Sequence, residues 1–523
     1  MTAEFAHNRP RAPIFGRRAM VVSGHAAASL AGFSTLERGG TVGDALVAAS
    51  AALSVVLGHA TSIGGDCFLL INDAASGRTL GLNGSGIAPA RAVPERFPGG
   101  IDVHGPAAPL VPGLVGSWEA IHRRFGRLRW QGLFDDAIDL AERHVVSQVL
   151  TKQAASLRAE LAADAGCAAL YLPEGRPIGI GTTLCQPALA ATLRTIAANG
   201  ADEFYRGGIA QALADYFENQ GGLISAADLA GYQPLWVEPI ATEYRGHRVM
   251  AMPPNSYGVL LLMQLNGLAA VDGADLVGES ARRIGYQMKA MQAAFDHGVA
   301  LISDPRTASG VSERLLGPET TAVMQDAVRG AHAPRRLREG GGTSCLLIAD
   351  GDGNAACMVQ SVFNVFGSMA LDPRTGILFN NRMQGFTQRP GHANTIGPGK
   401  RPAHTLCPVM VHRDGRPRYV LASPGGLSQT LINAQILTNL IDGRMDVSAA
   451  VEAPRWCITK SGSFLIEPEF SEATVAGLAK LGHVVKRTGD DYYSGSAKAI
   501  EFLPSGNLAG ASDHRREAFT LGA

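Results

Sequence analysis

Apolar and polar positions divide most of the chain into short β-rich runs and longer helical runs. Residues 19–23 form a short β-rich run, and a second run from about 41 to 57 is almost continuously apolar. Thr41 precedes the second run with Asp44 three positions later, the pattern of a helix N-cap. A helix that is apolar on nearly every side is predicted to lie between two layers. Further helices are predicted over 115–125, 130–142, 188–199, 209–219 and parts of 256–303.

The pattern changes abruptly at residue 343. Residues 330–342 are polar and rich in glycine, and they end in three consecutive glycines. Such a segment has little apolar surface to bury and is predicted to be a mobile, solvated loop. Two β-rich runs follow, at 343–350 and 355–362, on either side of an Asp-Gly-Asn turn, which predicts a hairpin. Thr343 is therefore predicted to be the first residue of a buried strand.

Thr343 is a candidate nucleophile. A threonine hydroxyl needs a base within reach, and a free α-amino group on the same residue, with a pKa near ~8, can serve. An internal threonine has no such amine, so this chemistry requires that the Gly342–Thr343 bond be cut first. On its own, the junction is more simply explained as a loop that enters a strand.

A second candidate feature is the glycine pair Gly425–Gly426, which precedes a predicted helix that extends to about residue 441. Backbone N–H groups at a helix entrance are free to point outward. Two such groups can bind the oxyanion of a tetrahedral intermediate. A plain strand-to-helix turn is the simpler explanation of the pair when it is considered alone.

Composition narrows the possible partners. The 523 residues include 46 Lys and Arg against 46 Asp and Glu, so the net charge gives no reason to expect nucleic acid or an anionic membrane. The 7 cysteines have no paired spacing, and neither Cys-x-x-Cys nor His-Glu-x-x-His occurs, so we expect no disulfide framework, no metal and no cofactor. The sequence shows no signal-peptide pattern and no membrane-spanning run, which predicts a cytoplasmic protein.

From about Ala19 to the C-terminus the sequence resembles the γ-glutamyltransferases and their acylase relatives. Each matching motif is short, but the set in this order is specific. The motifs are Leu-Glu-Arg-Gly-Gly-Thr-Val-Gly-Asp-Ala (36–45), Ser-Ile-Gly-Gly-Asp (62–66), Ala-Pro-Leu-Val-Pro-Gly (108–113), Phe-Tyr-Arg-Gly (204–207), Met-Pro-Pro-Asn-Ser-Tyr-Gly (252–258), Gly-Ile-Leu-Phe-Asn-Asn (376–381), Ser-Pro-Gly-Gly (423–426), Glu-Ala-Pro-Arg (452–455) and Gly-Ala-Ser-Asp (510–513).

The resemblance implies an α/β (α+β) fold, the four-layer αββα sandwich of the N-terminal-nucleophile hydrolases. It implies cleavage into a large subunit, residues 1–342, and a small subunit, residues 343–523, which together form one intertwined domain. Thr343 corresponds to the residue that cuts the chain after Gly342 and then acts as the nucleophile. Gly425 and Gly426 match the oxyanion-hole glycines of the family, and Ser361 matches the hydroxyl that orients the nucleophile.

The γ-glutamyl pocket of the family does not carry over. The arginine that holds the substrate α-carboxylate in true γ-glutamyltransferases is replaced by Ser85. The Gln and Asp that contact the amino-acid end are replaced by Arg382 and Gly385. A buried ammonium without its carboxylate partner costs several kcal/mol. We therefore expect that a free α-amino group is not recognised, and that Arg382 grips a carboxylate instead. An ion pair with a neighbouring acid is the alternative role for Arg382.

Three further pocket positions also differ from the family pattern. His404 and Thr405 replace a Ser-Ser pair, and Phe363 replaces an Asn and is expected to narrow the pocket. His404 could equally be a hydrogen-bonded structural histidine. These variants resemble the subgroup that contains oxamate amidohydrolase, and oxamate is a carboxylate joined directly to a primary amide.

The predicted function is therefore a self-processing amidohydrolase for a small carboxylate-bearing amide, with hydrolysis of oxamate to oxalate and ammonia as the leading candidate. A γ-glutamyl hydrolase or transpeptidase, a glutaryl or cephalosporin acylase, and a non-catalytic binding protein on the same scaffold are the alternatives. The two subunits are expected to stay together, and the pair could associate further into a homodimer.

Overall fold

A computed structural model of the chain describes residues 11–307, 309–330, 342–458, 463–489 and 494–523. Of the polar segment predicted to be a mobile loop, only Gly330 and Gly342 belong to these ranges. The prediction for residues 331–341 therefore lies outside the described residues.

The strands of the described residues are short. In chain order they are β1 (Ile14–Gly16), β2 (Ala19–Ser23), β3 (Asp66–Asp73), β4 (Arg78–Gly84), β5 (His144–Val145), β6 (Thr183–Leu184), β7 (Leu235–Val237), β8 (Ile240–Tyr244), β9 (His247–Ala251), β10 (Gly342–Asp350), β11 (Ala355–Phe363), β12 (Leu371–Asp372), β13 (Ile377–Leu378), β14 (Val409–Arg413), β15 (Arg416–Ala422), β16 (Trp456–Ile458), β17 (Phe464–Ile466), β18 (Val485–Arg487), β19 (Lys498–Phe502), β20 (Leu508–Ser512) and β21 (Phe519–Gly522).

The α-helices of the same residues are α1 (Ala26–Glu37), α2 (Val42–Val56), α3 (Leu114–Phe125), α4 (Asp135–Glu142), α5 (Gln148–Ser156), α6 (Arg158–Leu161), α7 (Ala165–Tyr171), α8 (Pro187–Asn199), α9 (Asp202–Tyr205), α10 (Gly208–Asn219), α11 (Ala226–Ala230), α12 (Gly258–Leu268), α13 (Ala281–Gly298), α14 (Val311–Leu316), α15 (Pro318–Arg329), α16 (Ser428–Ile441), α17 (Val447–Glu452) and α18 (Glu472–Lys480).

Two seven-stranded antiparallel sheets form the centre of the fold. One has the strand order β21-β2-β10-β11-β3-β4-β7, and the other has the order β1-β20-β19-β15-β14-β9-β8. In the first sheet, β10 pairs with β2 on one side and with β11 on the other. Strands from before and after residue 343 therefore pair with each other in one sheet.

Side chains of β10 show how the layers stack. Cys345 and Leu347 point into an apolar layer between the two sheets, whereas Leu346 and Ile348 point into the layer of helices that covers the first sheet. This alternation is the period of two that a strand imposes on its side chains. A third apolar layer lies between the second sheet and the helices α12, α13 and α16. The four-layer αββα sandwich predicted from the resemblance is confirmed.

Helix α2 shows how the local sequence fixes an inner element. The Thr41 hydroxyl accepts the Asp44 N–H at 3.1 Å, and the Asp44 carboxylate accepts the Thr41 N–H at 2.9 Å, a complete capping box. Every residue of the helix is buried, as its continuous apolar pattern predicts. The predicted N-cap at Thr41 is confirmed.

Most of the other predicted elements are confirmed, with local differences. The hairpin around the Asp-Gly-Asn turn is β10 and β11, and the helix after the glycine pair is α16. The run 130–142 divides into a 3₁₀ turn, Trp130–Leu133, and α4. Helix α1 was not predicted, since its pattern is Ala-rich without a clear apolar stripe. No helix of the described ranges is long and apolar enough to span a membrane.

Candidate active site

The predicted nucleophile lies at the start of a central strand. Thr343 is 3% exposed, and its Cα is paired with that of Ser361 on β11. The Thr343 hydroxyl donates a hydrogen bond to the Ser361 hydroxyl at 3.1 Å, and Ser361 Oγ also accepts the Phe363 N–H at 2.7 Å. Because side chains alternate along a strand, Thr343 faces the same side as Cys345, between the two sheets.

The glycine pair lies close to the start of β10. The Cys345 thiol contacts the Ala422 carbonyl at 3.5 Å, at the end of β15. Just beyond it, Pro424 and Thr343 line the same small cavity. Gly425 and Gly426 follow with φ values of 141° and 56°, in the left-handed region that favours glycine. The structure therefore brings the predicted nucleophile and the predicted oxyanion-hole turn to one end of the sandwich.

A fully buried ion cluster joins three distant parts of the chain. Arg382 Nη2 lies 3.2 Å from Asp66 Oδ1, and His404 Nε2 lies 2.8 Å from Asp66 Oδ2. All three side chains are at most 1% exposed. The ion pair that was the alternative role for Arg382 is thus present. Arg382 Nε and Nη1 are nevertheless buried without a hydrogen-bond partner among the described residues.

The charge states of the cluster follow from its burial and contacts. Burial and the charge of Arg382 lower the pKa of His404 to about 4, so this histidine is neutral near pH 7. The Leu406 N–H donates to His404 Nδ1 at 3.3 Å, which places the ring proton on Nε2, facing Asp66. Burial alone would raise the pKa of Asp66, but the attraction of Arg382 and His404 outweighs it and lowers the pKa. The cluster is thus one guanidinium, one carboxylate and one neutral imidazole.

Phe363 covers the guanidinium. The Cζ atom of Arg382 lies 4.4 Å from the centroid of the Phe363 ring, a cation–π contact. Phe363 has a φ of 81°, which is strained for a residue with a bulky side chain. Its Cα is the partner of Gly342 across the β10–β11 pair. The backbone of Phe363 is therefore held beside the bond that the predicted self-cleavage would break.

A cavity of about 410 Å³ is lined in part by Phe363. The predicted pocket residues Thr405 and Gly385 also line it, together with Leu427, which directly follows the glycine pair. The two residues that flank the glycine pair therefore line different cavities, Pro424 the small cavity at Thr343 and Leu427 the larger one.

The hydroxyl of Ser85, another predicted pocket residue, is hydrogen-bonded to two neighbouring asparagines. It is fully buried, donates to Asn83 Oδ1 at 2.8 Å and accepts from Asn255 Nδ2 at 3.2 Å. The Ser85 carbonyl accepts from Arg401, three residues before His404. Ser85 therefore supports the segment that carries His404 and Thr405, and it does not line the 410 Å³ cavity.

Two residues that the sequence reasoning left without a role hold this site together. Asp66 ends the Ser-Ile-Gly-Gly-Asp motif, and an acid directly before the apolar run 67–71 signals a buried charge that needs a partner. Asn380 donates to the Gly64 carbonyl at 2.9 Å and accepts the Arg382 N–H at 3.0 Å. It thereby ties the turn before Asp66 to Arg382. The described residues contain no group of three or more His, Cys, Asp or Glu side chains that could hold a metal ion.

Comparison with known proteins agrees with this geometry. The family model for gamma-glutamyltranspeptidase matches residues 28–523. The glutathione hydrolase-like YwrD proenzyme of Bacillus subtilis is 32% identical over 97% of this chain and 99% of its own length. The oxamate amidohydrolase proenzyme of Klebsiella pneumoniae is 32% identical over 96% of this chain and 98% of its own length.

A solved structure extends the similarity to the fold. The cephalosporin acylase from Bacillus halodurans superposes with a TM-score of 0.93 at 30% identity, covering 100% of this chain and 99% of that one. The relatives and the solved structure are enzymes of one family, and the match runs through both central sheets. The chain therefore belongs to the gamma-glutamyltranspeptidase family of N-terminal-nucleophile hydrolases, and it is an enzyme of the amidohydrolase and acylase type.

Proposed function

We propose that the chain is a self-processing amidohydrolase that uses Thr343 twice, first to cut its own backbone and then to attack a small carboxylate-bearing amide. The observation that carries the proposal is the position of the Thr343 hydroxyl. It is buried, held by Ser361 at 3.1 Å, and belongs to the residue directly after the Gly342 carbonyl. Relatives described as proenzymes support the first step.

In the first step, the Thr343 hydroxyl attacks the Gly342 carbonyl carbon and the amide bond is replaced by an ester. This exchange frees the Thr343 amine. Hydrolysis of the ester then restores the Thr343 hydroxyl, leaves a carboxylate on Gly342 and separates residues 1–342 from residues 343–523. Because β10 pairs with β2 from the first fragment and β11 from the second, the two fragments remain in one sheet. This pairing supports a processed heterodimer that behaves as one domain.

In the second step, the free Thr343 amine takes the proton of its own hydroxyl, which attacks the substrate carbonyl. The N–H groups of Gly425 and Gly426 stabilise the oxyanion, by ~3 kcal/mol for each donor. Ammonia or an amine leaves, and water releases the acyl group. Ser361 orients the Thr343 hydroxyl through its hydrogen bond.

The buried cluster favours an anionic acyl group without an ammonium. Arg382 keeps Nε and Nη1 without partners among the described residues, and these N–H groups suit a substrate carboxylate. Asp66 accepts one hydrogen bond on each oxygen and its charge is balanced by Arg382, so this cluster holds no uncompensated carboxylate acceptor for an ammonium. A γ-glutamyl substrate needs such an acceptor for its α-amino group. We therefore place oxamate, an anionic primary amide, first among the substrates.

One observation favours a second candidate, an acylase for a larger acyl group. The cavity lined by Phe363 and Thr405 has a volume of about 410 Å³, within the range of sites for drug-sized ligands. Oxamate fills only part of that volume, whereas a glutaryl chain fills more of it. In this case Arg382 binds the distal carboxylate of the side chain, and the similarity to a cephalosporin acylase supports the alternative.

The test is amide cleavage by purified protein, with oxamate, glutaryl amides, glutamine and a γ-glutamyl anilide supplied in parallel. Ammonia or amine release is followed, with Thr343→Ala as the inactive control. Arg382→Met should lose activity, whereas Arg389→Met, which removes an exposed arginine on the same segment, should not. Release from oxamate alone supports the first candidate, and release from glutaryl amides alone supports the second. Release from the γ-glutamyl compounds contradicts both.

A further inference from the structure

A small cavity beside Thr343 is lined in part by polar side chains to which the proposed chemistry gives no role. Its volume is about 20 Å³, and Thr343, Ser344 and Pro424 form part of its wall. A water molecule needs roughly 10–15 Å³ of such space. The cavity therefore has room for one water at the start of β10, next to the bond between Gly342 and Thr343.

Three polar atoms that lack a hydrogen-bond partner among the described residues belong to side chains that line this cavity. They are His59 Nδ1, Ser496 Oγ and Glu517 Oε2. They come from three separate segments, after α2, before β19 and before β21, and His59 and Ser496 are 3% and 2% exposed. Buried polar atoms normally have partners, and a buried water needs two to four of them. The presence of three such side chains on the wall of one water-sized space favours an ordered water there.

We propose that His59 is a positioning residue for self-cleavage, holding through Nδ1 a water molecule that relays the hydroxyl proton of Thr343. This inference rests on the proposed self-cleavage. Before the chain is cut, Thr343 has no free amine, so its hydroxyl needs another group to accept the proton. A water held at the cavity wall that Thr343 forms is placed for that task.

The relayed step balances without any further reactant. The Thr343 Oγ–carbon bond to Gly342 forms while the water accepts the hydroxyl proton. The Gly342–Thr343 C–N bond breaks while the water returns a proton to the departing nitrogen. The products are an ester at Thr343 and its free amine, and the water is regenerated.

The charge state of His59 suits an acceptor. Burial, together with the charges of Arg516 and His25, lowers its pKa to about 3, so the ring is neutral near pH 7 and one ring nitrogen can accept. The other charged groups that line the cavity are Lys498, Arg516 and Glu517. Glu517 also accepts the Val149 N–H at 3.0 Å through Oε1, which fixes its carboxylate while Oε2 remains available.

The first test measures the rate of self-cleavage by gel and intact mass after rapid refolding of the full chain. His59→Leu removes the acceptor, and we expect cleavage at least ten-fold slower than wild type. His59→Gln keeps a polar side chain that can accept from the water, and it should recover most of the rate. His483→Leu is the matched control, because His483 is another buried histidine whose ring nitrogens lack partners among the described residues, and it packs against Phe464 in the other half of the molecule.

Wild-type rates in both His59 variants would overturn the proposal, as would equal slowing in His59→Leu and His483→Leu. If the His59 variants fail to fold, a high-resolution crystal structure of uncut Thr343→Ala protein decides. Water density within hydrogen-bond distance of His59 Nδ1 supports the proposal, and a dry cavity overturns it. If the wild-type chain never cleaves, the proposed self-cleavage is wrong. If the wild-type chain cleaves and the His59 variants cleave equally fast, only the role of His59 is wrong.

Discussion

The buried cluster of Arg382, Asp66 and His404 gives a quantitative prediction about stability. Arg382→Met keeps a long side chain but removes the one positive charge that the described part of the chain places against Asp66 at neutral pH. Within the described ranges, the buried carboxylate then keeps one hydrogen bond, from the neutral His404. To keep every protein in one piece, the measurement is made in a Thr343→Ala background.

The expected loss is about 3–5 kcal/mol of unfolding free energy at pH 8, the usual cost of removing one partner of a buried ion pair. Asp66→Asn alone should also be costly, because it leaves the guanidinium without its counter-charge. When both changes are combined, no uncompensated charge remains. The double variant should therefore lose about 2–3 kcal/mol less than the sum of the single losses.

The pH dependence provides a separate check on His404. Its pKa is about 4 in the folded chain, and an unfolded histidine has a pKa of ~6.5, so between these pH values the unfolded chain binds one more proton. The stabilising contribution of neutral His404 is present above pH ~6.5 and is lost as the pH falls toward 4. This loss amounts to about 2 kcal/mol between pH 8 and pH 5. Without Arg382 the pKa of His404 rises, so the Arg382→Met variant loses less unfolding free energy between pH 8 and pH 5.

The assay is urea unfolding at pH 8 and pH 5, followed by tryptophan fluorescence and far-UV circular dichroism. We expect the deficit of Arg382→Met to be largest at pH 8 and to narrow by about 1–2 kcal/mol at pH 5. Arg389→Met, which replaces an exposed arginine on the same segment, should change the unfolding free energy by less than about 0.5 kcal/mol. Additive single losses, or a deficit that widens at pH 5, would refute the charge states assigned to the cluster.

Two further changes test other parts of the structure. Thr41→Ala removes the hydroxyl of the capping box on α2 and should lower the unfolding free energy by about 1–2 kcal/mol in the same urea assay; no loss would mean that the cap contributes nothing. Phe363→Gly relieves a φ of 81° and uncovers Arg382, so hydrolysis of glutaryl amides should rise relative to oxamate. An unchanged ratio of the two kcat/KM values would show that Phe363 does not limit acyl size.

Local pattern was sufficient for the elements that carry the candidate nucleophile. The polar segment before residue 343 and the alternating runs after it predicted the hairpin of β10 and β11, and Thr343 is indeed buried near its start. The cap at Thr41 and the continuous apolar run predicted α2 for the same reason. Short-range preferences decide such elements, so a single sequence reveals them.

The composition of the pocket depends on contacts that the sequence does not display. Arg382 and Asp66 are 316 positions apart, so the ion pair between them could be suspected but not assigned. The hydrogen bonds of the Ser85 hydroxyl with Asn83 and Asn255 could likewise not be assigned from the sequence. Comparison with the family motifs shows that Arg382 and Ser85 differ from the family pattern, but only the fold shows which residues they contact.

The most direct test of the central claim is the intact mass of the purified wild-type chain, with Thr343→Ala protein measured beside it. We expect two wild-type fragments, one ending at Gly342 and one beginning with an unblocked Thr343, while the variant remains a single uncut chain. A folded wild-type protein that stays whole, or one that is cut at any other bond, would contradict the role given to Thr343.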